Sequence, residues 1–183
     1  MRQHHQKKEL NDAFLAIYTD LSDAIFRFSC SRVSDREQAL DITQEVFSRL
    51  WQSLIEGKDI EYPKTLLFTI ARNLIIDWYR KKKSVSLEGL ANTETEEPYE
   101  PLAEDAETLL QMDAEGRFLV DQISRLSSGY RDAVYLRFVE GLTPAEIAVI
   151  IGTTVNATSV RINRGLDELR KLTGYDVEQE EEK

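Results

Sequence analysis

The chain has 183 residues, with 23 basic and 33 acidic side chains, a formal net charge of −10 and one cysteine, Cys30. This length suits one domain or two small ones; the acidic balance excludes a nucleic-acid coat that works by charge alone, and one cysteine excludes an internal disulfide or a cysteine-built metal site. No apolar run approaches the roughly 18 residues of a membrane span and no secretory segment is found, so a cytoplasmic protein without membrane insertion is expected.

Apolar spacing predicts an almost entirely helical chain. Leu10, Phe14, Ile17, Leu21, Ile25 and Phe28, three and four apart, predict a first helix over 9–32. Cys30 falls on it as a core residue, and the polar start with His4 and His5 reads as a tail. Asp35 then caps a second helix running to about Leu54, its apolar face Ala39, Ile42, Val46, Phe47, Leu50 and Leu54. Within it lies Asp41-Ile-Thr-Gln44-Glu45-Val-Phe47. Asp41 and Glu45 are four apart and share a face. Two carboxylates suit a metal site or an acid/base pair, but no matching His, Asp or Glu cluster accompanies them, which leaves a solvated acidic face.

Gly57 to Pro63 reads as a loop, followed by a third helix from Lys64 to Lys83 with Leu67, Ile70, Leu74 and Trp78 inward. It contains Ala71-Arg72-Asn73-Leu-Ile-Ile-Asp77-Trp78-Tyr79 and ends in Arg80, Lys81, Lys82 and Lys83. Cations complement a helix C-terminus. Four in succession beside Trp78 and Tyr79 exceed that need and suggest a phosphate-binding surface with stacking groups nearby.

Charge then shifts sharply. Residues 1–83 carry 14 basic and 12 acidic groups, 84–113 carry nine acids and no base, 114–175 carry eight bases and seven acids, and 176–183 one base and five acids. The acidity therefore sits in a linker, 84–107, and a tail, 176–183, between and beyond two near-neutral helical parts, 1–83 and 108–175. The linker's prolines, acids and few aromatics suit a flexible tether. Helices are expected over 109–126 and 128–140.

The last segment predicts a helix-turn-helix. Thr143 caps a short helix with Pro144 in its first position and Glu146 completing a capping box. Ile147, Ile150 and Ile151 face inward, and Gly152 stops the helix. Thr153 or Thr154 caps the second helix, whose apolar face is Val155, Ile162, Leu166 and Leu169. Asn156, Ser159, Arg161, Asn163 and Arg164 are left for solvent or a ligand, and arginine and asparagine match base edges and phosphates. Two helices joined this way present the second to a DNA major groove.

These runs together resemble an extracytoplasmic-function (ECF) sigma factor, the minimal two-domain class of bacterial RNA polymerase specificity subunit. Asp-Ile-Thr-Gln-Glu-Val-Phe resembles that family's polymerase-binding motif, which implies contacts from Asp41, Gln44, Glu45 and Phe47. Ala-Arg-Asn-x-x-x-Asp-x-x-Arg resembles its motif for promoter melting and minus-ten recognition, implying Arg72, Asn73, Asp77, Trp78, Arg80, Lys81, Lys82 and Lys83. Residues 127–172 resemble its minus-35-binding domain, implying Thr153, Thr154, Asn156, Ser159, Arg161 and Arg164. The chain departs from the family pattern in Ser159, where a lysine is common, in Thr158, where valine is usual, and in Leu66, where tryptophan is frequent. The family's single-strand pocket corresponds to about Glu56 to Pro63.

The resemblance implies an all-α fold of two small domains joined by an acidic flexible linker, the C-terminal one a helix-turn-helix. It implies no catalysis, cofactor, metal or small-molecule substrate. Its implied partners are core RNA polymerase, promoter DNA and an anti-sigma factor. Two rivals differ in what they need. A conventional helix-turn-helix regulator binds specific DNA without polymerase, usually at a two-fold symmetric site. A metal-dependent nuclease built on Asp41 and Glu45 needs further ligands.

Overall fold

The computed structural model describes residues 2–33, 35–86 and 114–174, and every regular element among them is an α-helix. These are α1 (Arg2–Cys30), α2 (Arg36–Ile55), α3 (Pro63–Ser86), α4 (Ala114–Ser124), α5 (Ser128–Phe138), α6 (Pro144–Ile151) and α7 (Val155–Thr173). The chain divides into two compact units, Met1–Thr108 and Leu109–Lys183.

In the first unit α1, α2 and α3 all pack on one another. Their core holds Leu21, Ile25 and Phe28 of α1, Ala39, Ile42, Val46 and Leu50 of α2, and Leu67, Phe68, Ala71 and Ile75 of α3. Phe28 and Phe68, both fully buried, meet edge-to-face with ring centroids 5.2 Å apart. Asp35 caps α2 by accepting from the backbone N–H groups of Glu37 and Gln38 at 2.9 and 3.4 Å.

Four features differ from expectation. Helix α1 begins at Arg2, not near residue 9, because Gln, Lys and Arg are good helix formers and no Gly or Pro interrupts the segment. The buried face of α3 is Leu67, Phe68, Ala71 and Ile75, while Ile70, Leu74 and Trp78 are only half-buried. This helix is apolar on two adjoining stripes, so periodicity alone does not choose between them, and the Phe28 ring selects Phe68. Helix α3 also continues through Ser86, so the first three residues of the expected linker are helical. The rest of that linker, residues 109–113 of the expected fourth helix and the tail 176–183 lie outside the described residues. Cys30, expected in the core, is half-buried.

In the second unit α5 and α6 pack on α7, and α4 packs on α5 and α7. Val120, Ile123, Leu126, Val134, Tyr135, Leu136, Leu142, Ile147, Ile150 and Ile162 fill the core. Arg131 is buried beneath the α4–α5 turn and donates Nη2–H to the Leu126 carbonyl at 2.9 Å. Glu168 on α7 reaches the start of α5, where its carboxylate accepts from the Ser127 N–H at 2.8 Å. That bond occupies one orphan donor at the α5 N-terminus and joins two helices distant in sequence.

Candidate functional site

The C-terminal surface is set by local signals. Thr143 and Glu146 form the capping box at α6: the Thr143 hydroxyl accepts from the Glu146 N–H at 3.3 Å, and the Glu146 carboxylate accepts from the Thr143 N–H at 2.8 Å. Gly152 ends α6 in the left-handed region, φ 68°, where a side chain would strain the turn. Thr154 starts α7 by accepting from the Ala157 N–H at 3.2 Å. Thr153, the other expected cap, is half-buried in the turn.

The inward face of α7 is Thr158, Ile162 and Gly165, with Leu166 and Leu169 half-buried. Val155, expected inward, is exposed. The displacement follows from Gly165. A Cβ there would overlap Val134 Cγ2 and press on Tyr130 Cβ at 3.1 Å, so α7 meets α5 along the glycine side and turns Val155 outward. Thr158 takes the inner place because its hydroxyl donates to the Thr154 carbonyl at 3.0 Å.

The opposite face of α7 exposes Asn156, Val160, Asn163 and Arg164. Ser159 and Arg161 lie half-buried at its flanks. The Ser159 hydroxyl donates back to the Val155 carbonyl at 3.1 Å. Among the described residues neither Arg161 nor Arg164 is held in an ion pair. The arrangement offers two amides and a guanidinium, side chains able to bond base edges and phosphates.

The first unit carries two further surfaces. On α2, Asp41, Gln44 and Glu45 are exposed, and Glu45 accepts from Arg49 Nε at 2.8 Å. No cluster of three or more His, Cys, Asp or Glu able to hold a metal ion occurs among the described residues. Gln44 leads into a groove of about 480 Å³ between α1 and α2, lined by Asn11, Phe14, Tyr18, Gln44, Phe47, Ser48 and Trp51. Phe47 forms its floor, only 4% exposed. Its ring lies 4.7 Å from Tyr18 and 6.3 Å from Phe14, and Trp51 lies 5.3 Å from Phe14. Of these rings the motif contains only Phe47. Phe14 with Tyr18 and Phe47 with Trp51 are both i, i+4 pairs, a pattern that marks two aromatic ridges on neighbouring helices.

On α3, Asn73, Asp77, Arg80, Lys81 and Lys82 are exposed, while Arg72 and Trp78 are half-buried. The Lys83 side chain lies outside the described residues. Asp77 sits 3.5 Å from Arg80, so the acid in this basic run steadies a neighbouring guanidinium. Trp78 and Tyr79 meet edge-to-face at 4.8 Å, and Lys82 Nζ lies 5.2 Å from the Trp78 ring. The Tyr79 hydroxyl donates to the Arg32 carbonyl, which ties α3 to the end of α1. Tyr79 is thus structural, and Trp78 is the ring available to a ligand. In the preceding loop Tyr62 is 60% exposed. The hydrogen bond from Lys58, at 2.8 Å, and a second from Gln52 hold the Glu56 carboxyl below its usual pKa range.

Comparison with known proteins follows this division. The Sigma-70 region 2 family matches residues 17–85, which span α2 and nearly all of α3, and the Sigma-70 region 4 family matches residues 119–169. The chain is 32% identical over 174 residues to the ECF RNA polymerase sigma factor SigW of Bacillus subtilis (strain 168), covering 90% of this chain and 91% of that one. It is 26% identical over 166 residues to the ECF RNA polymerase sigma factor SigX of the same organism, covering 88% and 84%. Two solved structures share the fold at 22% identity. One is CnrH in complex with the cytosolic domain of CnrY, with a TM-score of 0.62 over 91% of this chain and 90% of that one. The other is the sigma factor RpoE in complex with the anti-sigma factor NepR from Bartonella quintana, with a TM-score of 0.65 over 92% and 99%.

Proposed function

Because the chain belongs to the ECF RNA polymerase sigma factors, it is an alternative sigma factor that binds core polymerase and directs promoter-specific initiation, and we propose how its surfaces divide that work. The observation that carries this reading is kinship along nine-tenths of the chain, joined to an exposed face on each unit.

Residues 1–83 dock on polymerase and open the promoter. Asp41, Gln44 and Glu45 present acid to a basic helical partner, and the groove floored by Phe47 takes an apolar side chain from it. Charge sets orientation and association rate, and the desolvated rings supply most of the grip. Arg72, Asn73, Trp78 and Arg80 to Lys83 hold unpaired minus-ten DNA, with Asp77 positioning Arg80. Unstacking costs a few kcal/mol per base, so cations and a stacking ring are required together. Residues 108–175 place α7 in the minus-35 major groove, read by Asn156, Arg164 and Arg161, with Thr153, Thr154 and Ser159 on phosphates. The acidic stretch 84–107 joins the two readers, and 176–183 trails them. The chain performs no chemistry of its own and works beside cytoplasmic polymerase. Among its described residues no helix is long and apolar enough to cross a membrane. An anti-sigma protein is the expected further partner, as RpoE is bound to the anti-sigma factor NepR.

Transcription in vitro with core polymerase on a library of promoter fragments, with start sites mapped, tests the reading. Discrete starts that require this chain and share two spaced elements are expected. Sequence-specific DNA binding by the free chain, with no effect on polymerase, would overturn it in favour of a conventional regulator.

A further inference from the structure

The outward row of α7 runs Asn156, Val160, Asn163 and Arg164, at spacings of four, three and one. Val160 stands at its centre, 48% exposed, between side chains that all carry hydrogen-bonding groups. The inward side of the helix is fixed by Thr158, Ile162 and Gly165, so Val160 cannot turn to the core without moving α7 off α5. Among the features a major groove presents, the base-edge group suited to a valine is the C5 methyl of thymine. A polar row reads donors and acceptors, and one apolar residue within it reads a methyl.

We propose that Val160 is a specificity-determining residue that contacts a thymine methyl in the minus-35 element, beside a base read by Asn156. The inference rests on the sigma-factor reading above and adds the class of base this position selects. It also accounts for a helix whose outward centre lacks a cation. Affinity there comes from Arg164 at one edge and from polymerase, while the centre discriminates.

The test uses the full chain bound to core polymerase and a promoter it transcribes. Each thymine of the minus-35 element, on both strands, is replaced in turn by deoxyuridine, which differs only in lacking the C5 methyl. At one thymine the wild type should lose roughly three- to fivefold in promoter affinity, the scale of one buried methyl. Val160→Ala and Val160→Ser should bind the thymine promoter correspondingly less well and lose most of the uracil penalty there. Val149→Ala, which alters an exposed valine on α6, should keep the full penalty. The proposal is overturned if no thymine shows a penalty that depends on Val160, or if the element contains no thymine. If the wild type fails to transcribe with core polymerase at all, the sigma-factor reading falls first and this inference with it.

Discussion

Arg164 projects from the exposed face of α7 with no ion-pair partner among the described residues, whereas Arg161 lies half-buried at the flank. The two arginines therefore should not contribute equally. Arg164→Ala is expected to cost about 1–3 kcal/mol of promoter binding by the holoenzyme, and Arg161→Ala less. Core polymerase should co-purify with both variants as it does with the wild type. An Arg161 effect larger than that of Arg164, in filter binding at matched salt, would reverse the placement. At this scale the caps are the most legible part of the sequence. Asp35, Thr143 with Glu146, Gly152 and Thr154 act within four residues of themselves, so local pattern suffices to find them. Buried hydroxyls are the opposite case. Ser29, Thr43 and Thr158 each donate to the carbonyl four residues back, at 2.9, 2.8 and 3.0 Å, and so enter the core without an unmet hydrogen bond. A reading that looks for apolar periodicity passes over them, and for that reason Val155 takes the place of Thr158 in the expected face.

At the scale of elements, the seam between α5 and α7 depends on the absence of a side chain at Gly165. Alanine would gain up to about 1 kcal/mol in helix propensity. The new Cβ would also lie 2.4 Å from Cγ2 of the fully buried Val134, so one of the two must shift. Overpacking of this kind typically costs about 1–3 kcal/mol, so Gly165→Ala should be net destabilising. Thermal or urea unfolding measures the loss, and adding Val134→Ala should restore part of it. A stabilised Gly165→Ala variant would show that the seam has slack. On α2 the exposed acids differ in the same testable way. Glu45 is neutralised in part by Arg49 at 2.8 Å, while Asp41 has no ion-pair partner among the described residues. Asp41→Lys is expected to weaken core polymerase binding more than Glu45→Lys, with the gap narrowing as salt rises. Equal losses in a titration against core polymerase would remove the role given to Arg49. The acids of this face are plain in the sequence, and the groove beside them is not. Phe14 and Phe47 read as core and the expected apolar faces omit Tyr18 and Trp51, so only the crossing of α1 over α2 shows these two rings partly open around a buried Phe47.

Across the whole molecule, charge separates from structure. The helical parts 1–83 and 114–175 are near neutral, and nine acids with no base fill residues 84–113. Free in solution, such a chain is expected to gain little from counterion release on DNA, because its own carboxylates would compete with phosphate for the cations of α3 and α7. The free protein is therefore expected to bind promoter DNA weakly, with core polymerase restoring specific binding. The cause can be isolated by replacing the nine acids of 84–113 with the corresponding amides. Fluorescence anisotropy on a promoter duplex at about 50 and about 200 mM salt then separates two terms. If the acids compete with DNA, the amide variant binds more tightly at low salt, its advantage shrinks at the higher salt, and random-sequence DNA gains as much as the promoter. Unchanged affinity at low salt would mean that the acidic stretch does not shield the basic surfaces. The weakness of the free protein would then lie in α7 itself, whose outward row carries Arg164 as its only cation.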